Sequence, residues 1–382
     1  MSAFVLTGGK VVTGAGVLDP GWLAISDGVI IGVGDHTASI PRDAREIPVS
    51  GWVVPGFVDI HCHGGGGSAF WEPDQEDVLR AVATHRAHGT TTMLASLVSR
   101  PVDELAKQTA ALAELVDDGF LAGVHLEGPF LSAARCGAHD PAVLRPPSPE
   151  AVRMLLDAGR DTVRMVTLAP ELDGSLDAIR RLADDGVLAA IGHTDAVVGQ
   201  ARAAVDAGAT VATHLFNGMR PLHHREPGPV GAVIQDERVT VELICDLVHL
   251  HPDIVSMMAR FAGAERTVLV TDAMAAAAAG DGVYDVGGLE VTVRDGVSML
   301  AGADQDGAIA GSTLTMDRAF RHFVRDAGMS IEDAVAATAT CPARLLGLGD
   351  TTGALHPALA ADVVVLDDEL RISRVLCRGE WM

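Results

Sequence analysis

The stretch Val53-Val54-Pro55-Gly56-Phe57-Val58-Asp59-Ile60-His61-Cys62-His63, followed by Gly64 to Gly67, decides how the rest of the chain is read. It is a short apolar run that stops in two histidines two residues apart. The same plan recurs downstream. Residues 91–98, 121–126, 163–168, 187–191, 210–215, 239–244 and 268–270 are equally short and apolar, which with 53–60 makes eight runs. Helix-like stretches separate them, among them 75–88, 102–116, 149–158, 175–184 and 196–207. Continuous apolar runs suit strands buried on both faces, and their alternation with helices predicts a parallel (β/α)₈ TIM-like barrel. A doubly wound open sheet is the alternative, but no G-x-G-x-x-G follows the first run.

Outward from the barrel, both ends of the chain read as β structure. Phe4-Val5-Leu6, Val11-Val12 and the hairpin-like stretch from Leu23 to Ile31, with an Asp27-Gly28 turn, fit short strands. The segments 361–367 and 372–376 look similar. Neither terminal piece is large enough to bury a core alone. One small β-sandwich module built from residues 1–52 and 350–382, beside a barrel of 53–349, is the economical division.

Composition narrows the function. The 382 residues are 48% hydrophobic and 21% charged, as in a globular protein. Lys+Arg number 28 and Asp+Glu 51, a net charge of −23, which argues against nucleic acid or an anionic membrane as partner. Lys10 and Lys107 are the only lysines, and neither has the setting of a phosphate-loop or Schiff-base lysine. Five cysteines (Cys62, Cys136, Cys245, Cys341, Cys377) without C-x-x-C indicate neither a disulfide framework nor a zinc knuckle. With no signal-like start and no apolar run of spanning length, a cytoplasmic location is expected.

Polar residues gather where the apolar runs stop. The ends carry Asp59, His61 and His63; His125 and Glu127; His193 to Asp195; His214 to Asn217; Asp246 and His249; and Thr271-Asp272. In a barrel these ends converge on one face, where such enzymes keep their active sites. His61 and His63 point to the same side of a strand. Imidazole and carboxylate suit zinc or another first-row divalent ion. Any one of these histidines could equally satisfy a local hydrogen bond. Six candidates (His61, His63, Glu127, His193, His214, Asp272) at the ends of five runs point to a metal site. Cys62 then faces away from the histidines into packing, and Asp59 either orients a ligand or caps a turn.

The H-x-H pair, single histidines at runs five and six, and Asp at run eight resemble the amidohydrolase superfamily. Many members bridge two metals with a carbamylated lysine; here Glu127 stands in that place. This substitution, with longer motifs, resembles the N-acetylglucosamine-6-phosphate deacetylase family within it. The motifs are Pro55 to Asp59, His125 to Phe130, Gly137-Ala138-His139, His214 to Met219, Arg225 to Gly228, Thr271 to Met274, Asp281 to Tyr284 and Gly311 to Leu314. They fall in family order and cover essentially the whole chain.

The resemblance implies that Glu127, His193 and His214 are constant metal ligands. His61 and His63 match an extra pair found in members with two metals, so one or two ions per subunit are expected. Asp272 is implied as general base and then acid, and His139 as the residue that bonds the substrate and polarises its acetyl carbonyl. Read alone, Arg225 is a solvated loop charge. The resemblance instead makes it a phosphate ligand reaching across a homodimer, or a dimer of dimers, together with His249 and the backbone at Asn217 and Gly218. Cys136 stands where the family often has a basic residue. The implied reaction converts N-acetylglucosamine 6-phosphate and water into glucosamine 6-phosphate and acetate. N-acetylgalactosamine 6-phosphate or another N-acyl compound is the alternative substrate.

Overall fold

The structure is a computed structural model and describes residues 3–40, 44–72, 74–301 and 308–382. Eight parallel strands form one sheet: β1 (Phe57–Asp59), β2 (Thr90–Leu97), β3 (Gly123–Glu127), β4 (Val163–Leu168), β5 (Leu188–Ile191), β6 (Val211–Ala212), β7 (Thr240–Ile244) and β8 (Thr267–Val270). Their order in the sheet is their order in the chain. Side chains and backbone just beyond the strands complete the barrel. Thr271 Oγ1 donates to Asp59 Oδ2 at 2.6 Å, and the Asp272 N–H donates to the His61 carbonyl at 2.8 Å. Asp59 thus ties β1 to the end of β8 rather than orienting a histidine ring. Burial pushes its carboxyl up to about 7, against hydrogen bonds from Thr271 and the His61 backbone.

Helices follow the strands: α1 (Gln75–Ala87), α2 (Val102–Asp117), α3 (Pro149–Gly159), α4 (Ser175–Asp184), α5 (Val198–Ala207), α6 (Gly228–Val233), α7 (Pro252–Ala262) and α8 (Met316–Arg325). Local chemistry sets their starts. Ser148 accepts the Ala151 N–H ahead of Pro149, and His251 caps the helix that begins at Pro252. Their apolar faces join the strands in one continuous core. Among the described residues no helix is long and apolar enough to cross a membrane.

The termini build two further sheets. One orders Val29–Asp35, Gly21–Ser26, Phe4–Thr7 and Arg45–Pro48; the other orders Glu380–Trp381, Ile372–Cys377, Val363–Leu366, Trp52–Pro55, Lys10–Thr13 and Gly16–Leu18. Leu6, Leu23, Ile25, Val53, Val363 and Leu376 pack together in their shared core. The Asp27-Gly28 turn has φ of 50° and 79°, as a tight hairpin requires.

Two features depart from the reading of the sequence. The run 53–60 is two strands: Trp52–Pro55 pairs with Val363–Leu366 in the terminal module, and only after Gly56 does β1 enter the barrel. A Cβ on Gly56 would lie 2.3 Å from Thr91 Oγ1, so the crossing point has no room for a side chain. Between β8 and α8 the chain also inserts a three-stranded antiparallel sheet, Gly282–Val286, Leu289–Arg294 and Val297–Leu300. Val286 from this insert reaches the wall of the cavity described next.

Candidate metal centre and active site

The residues at the strand ends meet in one buried cluster. His61 and His63 follow β1, Glu127 ends β3, His193 follows β5, His214 follows β6 and Asp272 follows β8. Their relative exposures run from 0 to 7%. Glu127 sits between the two pairs of rings. Its Oε2 is 3.2 Å from His63 Nε2, and its Oε1 is 3.1 Å from His193 Nε2 and 2.9 Å from His214 Nε2. His61 Nε2 is 3.2 Å from His63 Nε2, and Asp272 Oδ1 is 3.5 Å and 3.3 Å from those two nitrogens.

The backbone is bent to achieve this. His193, His214 and Asp272 have φ of 44°, 25° and 47°, a region that costs a non-glycine residue about 1–3 kcal/mol. Two glycines make room for the His193 ring. A Cβ on Gly218 would sit 2.8 Å from His193 Nδ1, and one on Gly137 3.1 Å from Cε1.

Hydrogen bonds fix which ring nitrogen faces the centre. His63 Nδ1 lies 3.1 Å from the Ser96 carbonyl, His193 Nδ1 2.8 Å from the Arg135 carbonyl, and His61 Nδ1 3.0 Å from Glu242 Oε2. Each acceptor calls for N–H at Nδ1, which leaves Nε2 with a lone pair directed inward. Several lone pairs and two carboxylates pointed at one another repel unless a cation lies among them. Their 2.9–3.5 Å spacing is close to the about 3.3 Å edge of a tetrahedron with bonds of roughly 2.0–2.1 Å. The donor set therefore fits a divalent ion. His61-His63-Glu127 forms one potential ligand group and Glu127-His139-His193 another.

The centre's demand for positive charge shows in the electrostatics as well: burial would lower the pKa of His61 and His63, but Glu127 and Asp272 outweigh it and raise both, so that a proton can take the place of a cation. Burial works to raise the pKa of Glu127, but His61 and the surrounding His139, His193 and His214 rings hold it well below the usual carboxylate range. For Asp272, burial is likewise outweighed by His61 and His63, and the carboxyl is held low and ionised. His139 differs. Burial pushes it down to about 4 despite Glu127, and the Ser99 N–H donates to its Nδ1 at 3.2 Å. It is a neutral ring whose proton is on Nε2, which faces Glu127 Oε2 at 3.4 Å. In this arrangement His139 is a hydrogen-bond donor toward Glu127.

The cluster opens into a cavity of about 320 Å³. His139, Asn217, Gly218, His249 and Asp272 all line it. The Asn217 N–H is already donated to the His214 carbonyl, whereas the Gly218 N–H has no acceptor among the described residues. His249 is oriented by Asp246, whose Oδ2 is 2.7 Å from Nδ1. Burial opposes protonation of His249, but Asp246 outweighs it and raises its pKa. Arg225 is not brought into the cavity of its own chain. It lies on an exposed loop, with Nη1 2.8 Å from His224 Nε2.

Sequence reasoning missed Glu242 and the role of the residues beneath the cluster. Ser96, His125, Thr167 and Thr213 form a hydrogen-bonded chain across the barrel, with links of 2.9, 2.8 and 2.9 Å. Cys62 turns away from the centre, with Sγ 3.3 Å from His85 Nε2, and burial holds its thiol protonated. His85 gives its Nε2 proton to the Gly64 carbonyl at 2.8 Å, so this pair is packing and not a second metal site.

A barrel with histidines and acids at its strand ends around a common centre defines a class of hydrolase, and the comparisons agree. The pattern of the "Amidohydrolase family" matches residues 52–382. The chain belongs to the amidohydrolase family, and within it to the N-acetylglucosamine-6-phosphate deacetylase group. It is 33% identical over 377 residues to N-acetylglucosamine-6-phosphate deacetylase of Bacillus subtilis (strain 168), covering 97% of this chain and 94% of that one. It is 37% identical over 381 residues to N-acetylgalactosamine-6-phosphate deacetylase of Escherichia coli O157:H7, covering 98% of each. Among solved structures, an aspartate-to-alanine variant of the Mycobacterium smegmatis N-acetyl-D-glucosamine-6-phosphate deacetylase, in complex with N-acetyl-D-glucosamine-6-phosphate, is 47% identical. Its TM-score is 0.95, over 100% of this chain and 99% of that one.

Proposed function

We propose that this protein hydrolyses the acetamide of N-acetylglucosamine 6-phosphate to glucosamine 6-phosphate and acetate. The observation that carries the reading is the buried His/Glu/Asp cluster, in a chain similar over its full length to an enzyme solved with that phosphosugar. His61, His63, Glu127, His193 and His214 would hold one or two divalent ions, zinc being the ion that suits this donor set. Such an ion supplies Lewis acidity toward the acetyl carbonyl and lowers the pKa of water toward neutrality.

The chain's own residues do the rest. Asp272, ionised and open to the cavity, accepts the proton of the attacking water. It then passes that proton to the sugar nitrogen, which leaves only as a protonated amine. His139 donates from Nε2 to the acetyl oxygen as charge develops there. At the far end of the substrate, the Gly218 N–H and His249, whose protonated form Asp246 favours, receive the phosphate. Arg225 completes that subsite from the second subunit of a dimer, which reconciles its exposure here with its role. A cavity of about 320 Å³ suits a single sugar rather than a polymer.

A second reading rests on the relative that acts on the galacto epimer at 37% identity. Acetate release from N-acetylglucosamine 6-phosphate and N-acetylgalactosamine 6-phosphate, measured side by side, decides between them. The gluco substrate is expected to have the higher kcat/KM, and the reverse order would assign the galacto activity.

A further inference from the structure

Glu242 is a carboxylate of the barrel interior that the reaction described above does not use. It lies in the middle of β7, flanked by Val241 and Leu243, and is completely buried. Among the described residues no lysine or arginine pairs with it, and its Oε1 has no hydrogen-bond partner. Burying such a group is costly unless its charge is answered nearby. Its other oxygen makes two bonds. Oε2 lies 3.0 Å from His61 Nδ1 and accepts the backbone N–H of His214 at 3.1 Å.

Those two partners belong to opposite halves of the cluster. His61 stands with His63 after β1, and His214 stands with His193 beyond β5 and β6. The bond to His61 sets its tautomer and presents Nε2 to the centre. The bond to His214 acts differently. His61, His63 and His193 each have an acceptor at Nδ1, but His214 Nδ1 is buried without a partner among the described residues. Nothing hydrogen-bonded to the His214 ring fixes its aim from behind, so its placement depends on the backbone. That backbone is held at φ 25°, with its N–H tied to Glu242.

We propose that Glu242 is a positioning residue that holds both halves of the metal centre through a single oxygen. It keeps His61 directed at one ion position and locks the strained His214 backbone that serves the other. The inference rests on the metal-centre reading, and extends it to a residue that touches neither ion nor substrate. The carboxylate also adds negative charge behind His61 and makes that ring a stronger ligand.

The test is metal binding, read without substrate. Wild-type protein, Glu242→Gln and Glu242→Ala are stripped with a chelator and titrated with Zn²⁺ against a chromophoric competitor. Parallel Co²⁺ loading records the visible spectrum. Glu242→Gln keeps an oxygen for both bonds but loses the charge, and should weaken metal binding about 10- to 100-fold. Glu242→Ala should weaken it further, lower the metal content per chain and alter the Co²⁺ bands. Unchanged affinity, stoichiometry and spectrum in both variants would overturn the proposal, even if their apo forms melt earlier. If Glu242→Ala does not fold, the nearly isosteric Glu242→Gln decides alone. A wild-type protein that takes up no metal would overturn the metal-centre reading itself, a result distinct from unchanged variants.

Discussion

The mouth of the barrel and the terminal β module solve opposite problems. At the mouth, His193, His214 and Asp272 sit at positive φ, and Glu127, Glu242 and Asp272 are buried where no arginine or lysine pairs with them among the described residues. In the module, Leu6, Leu23, Ile25, Ile30 and Val53 fill an apolar core, and the positive φ values of the Asp27-Gly28 hairpin belong to its turn. At the mouth the positive-φ residues carry the side chains of the cluster; in the module the non-glycine ones, Asp27, Ala358, Leu370 and Arg378, lie in turns and bends. Such strain persists only where the surroundings hold it in place, and it marks where chemistry is prepared.

Substitutions can break or sharpen that contrast. The largest effect belongs to Asp272→Asn, which should fold normally, bind metal and lose turnover by about 10²–10⁴-fold, the range for a general base. Acetate release and metal content measured on one preparation check this, and near-normal turnover would remove the base assignment. Chelation should abolish activity, with recovery on adding a divalent ion and a melting temperature that rises with metal concentration.

Gly218→Ala tests whether the mouth is as tightly fitted as its geometry requires. The new Cβ would lie 2.8 Å from His193 Nδ1 at a backbone φ of 58°. It should displace the ring from the Arg135 carbonyl and weaken metal binding roughly 10- to 100-fold. Arg225→Ala should cost a comparable amount, about 1.5–3 kcal/mol of a charged hydrogen bond. The loss should appear in KM for the phosphosugar and leave the unphosphorylated sugar unaffected. In the module, Leu23→Ala should lower stability by about 2–5 kcal/mol in chemical denaturation while leaving kcat and metal content unchanged. A loss of metal there would mean that the two regions are not energetically separate.

The barrel and the six residues at its centre were legible because the apolar runs are short and regular, and five of the eight end abruptly in those residues. Other features were hidden for physical reasons. Glu242 sits inside the apolar run of β7 and never reaches a strand end, so only its charge among Val241, Leu243 and Ile244 could have marked it. The division of the first run at Gly56 was masked because apolar residues continue on both sides. Pro55-Gly56 is its one local sign. The inserted sheet could have been read from the alternation after Gly282 and from its Gly287-Gly288 and Asp295-Gly296 turns, the last at φ 50° and 75°. Ser99 and Asp246, which fix the rings of His139 and His249, are ordinary loop residues until the chain is folded.

The most direct test of the central claim is kcat/KM for acetate release by metal-replete protein, comparing N-acetylglucosamine 6-phosphate with N-acetylglucosamine. The expected preference for the phosphorylated sugar is at least about 100-fold, the order that follows when buried phosphate-binding groups are left unpaired. Equal rates on the two sugars, or none on either with metal bound, would contradict it.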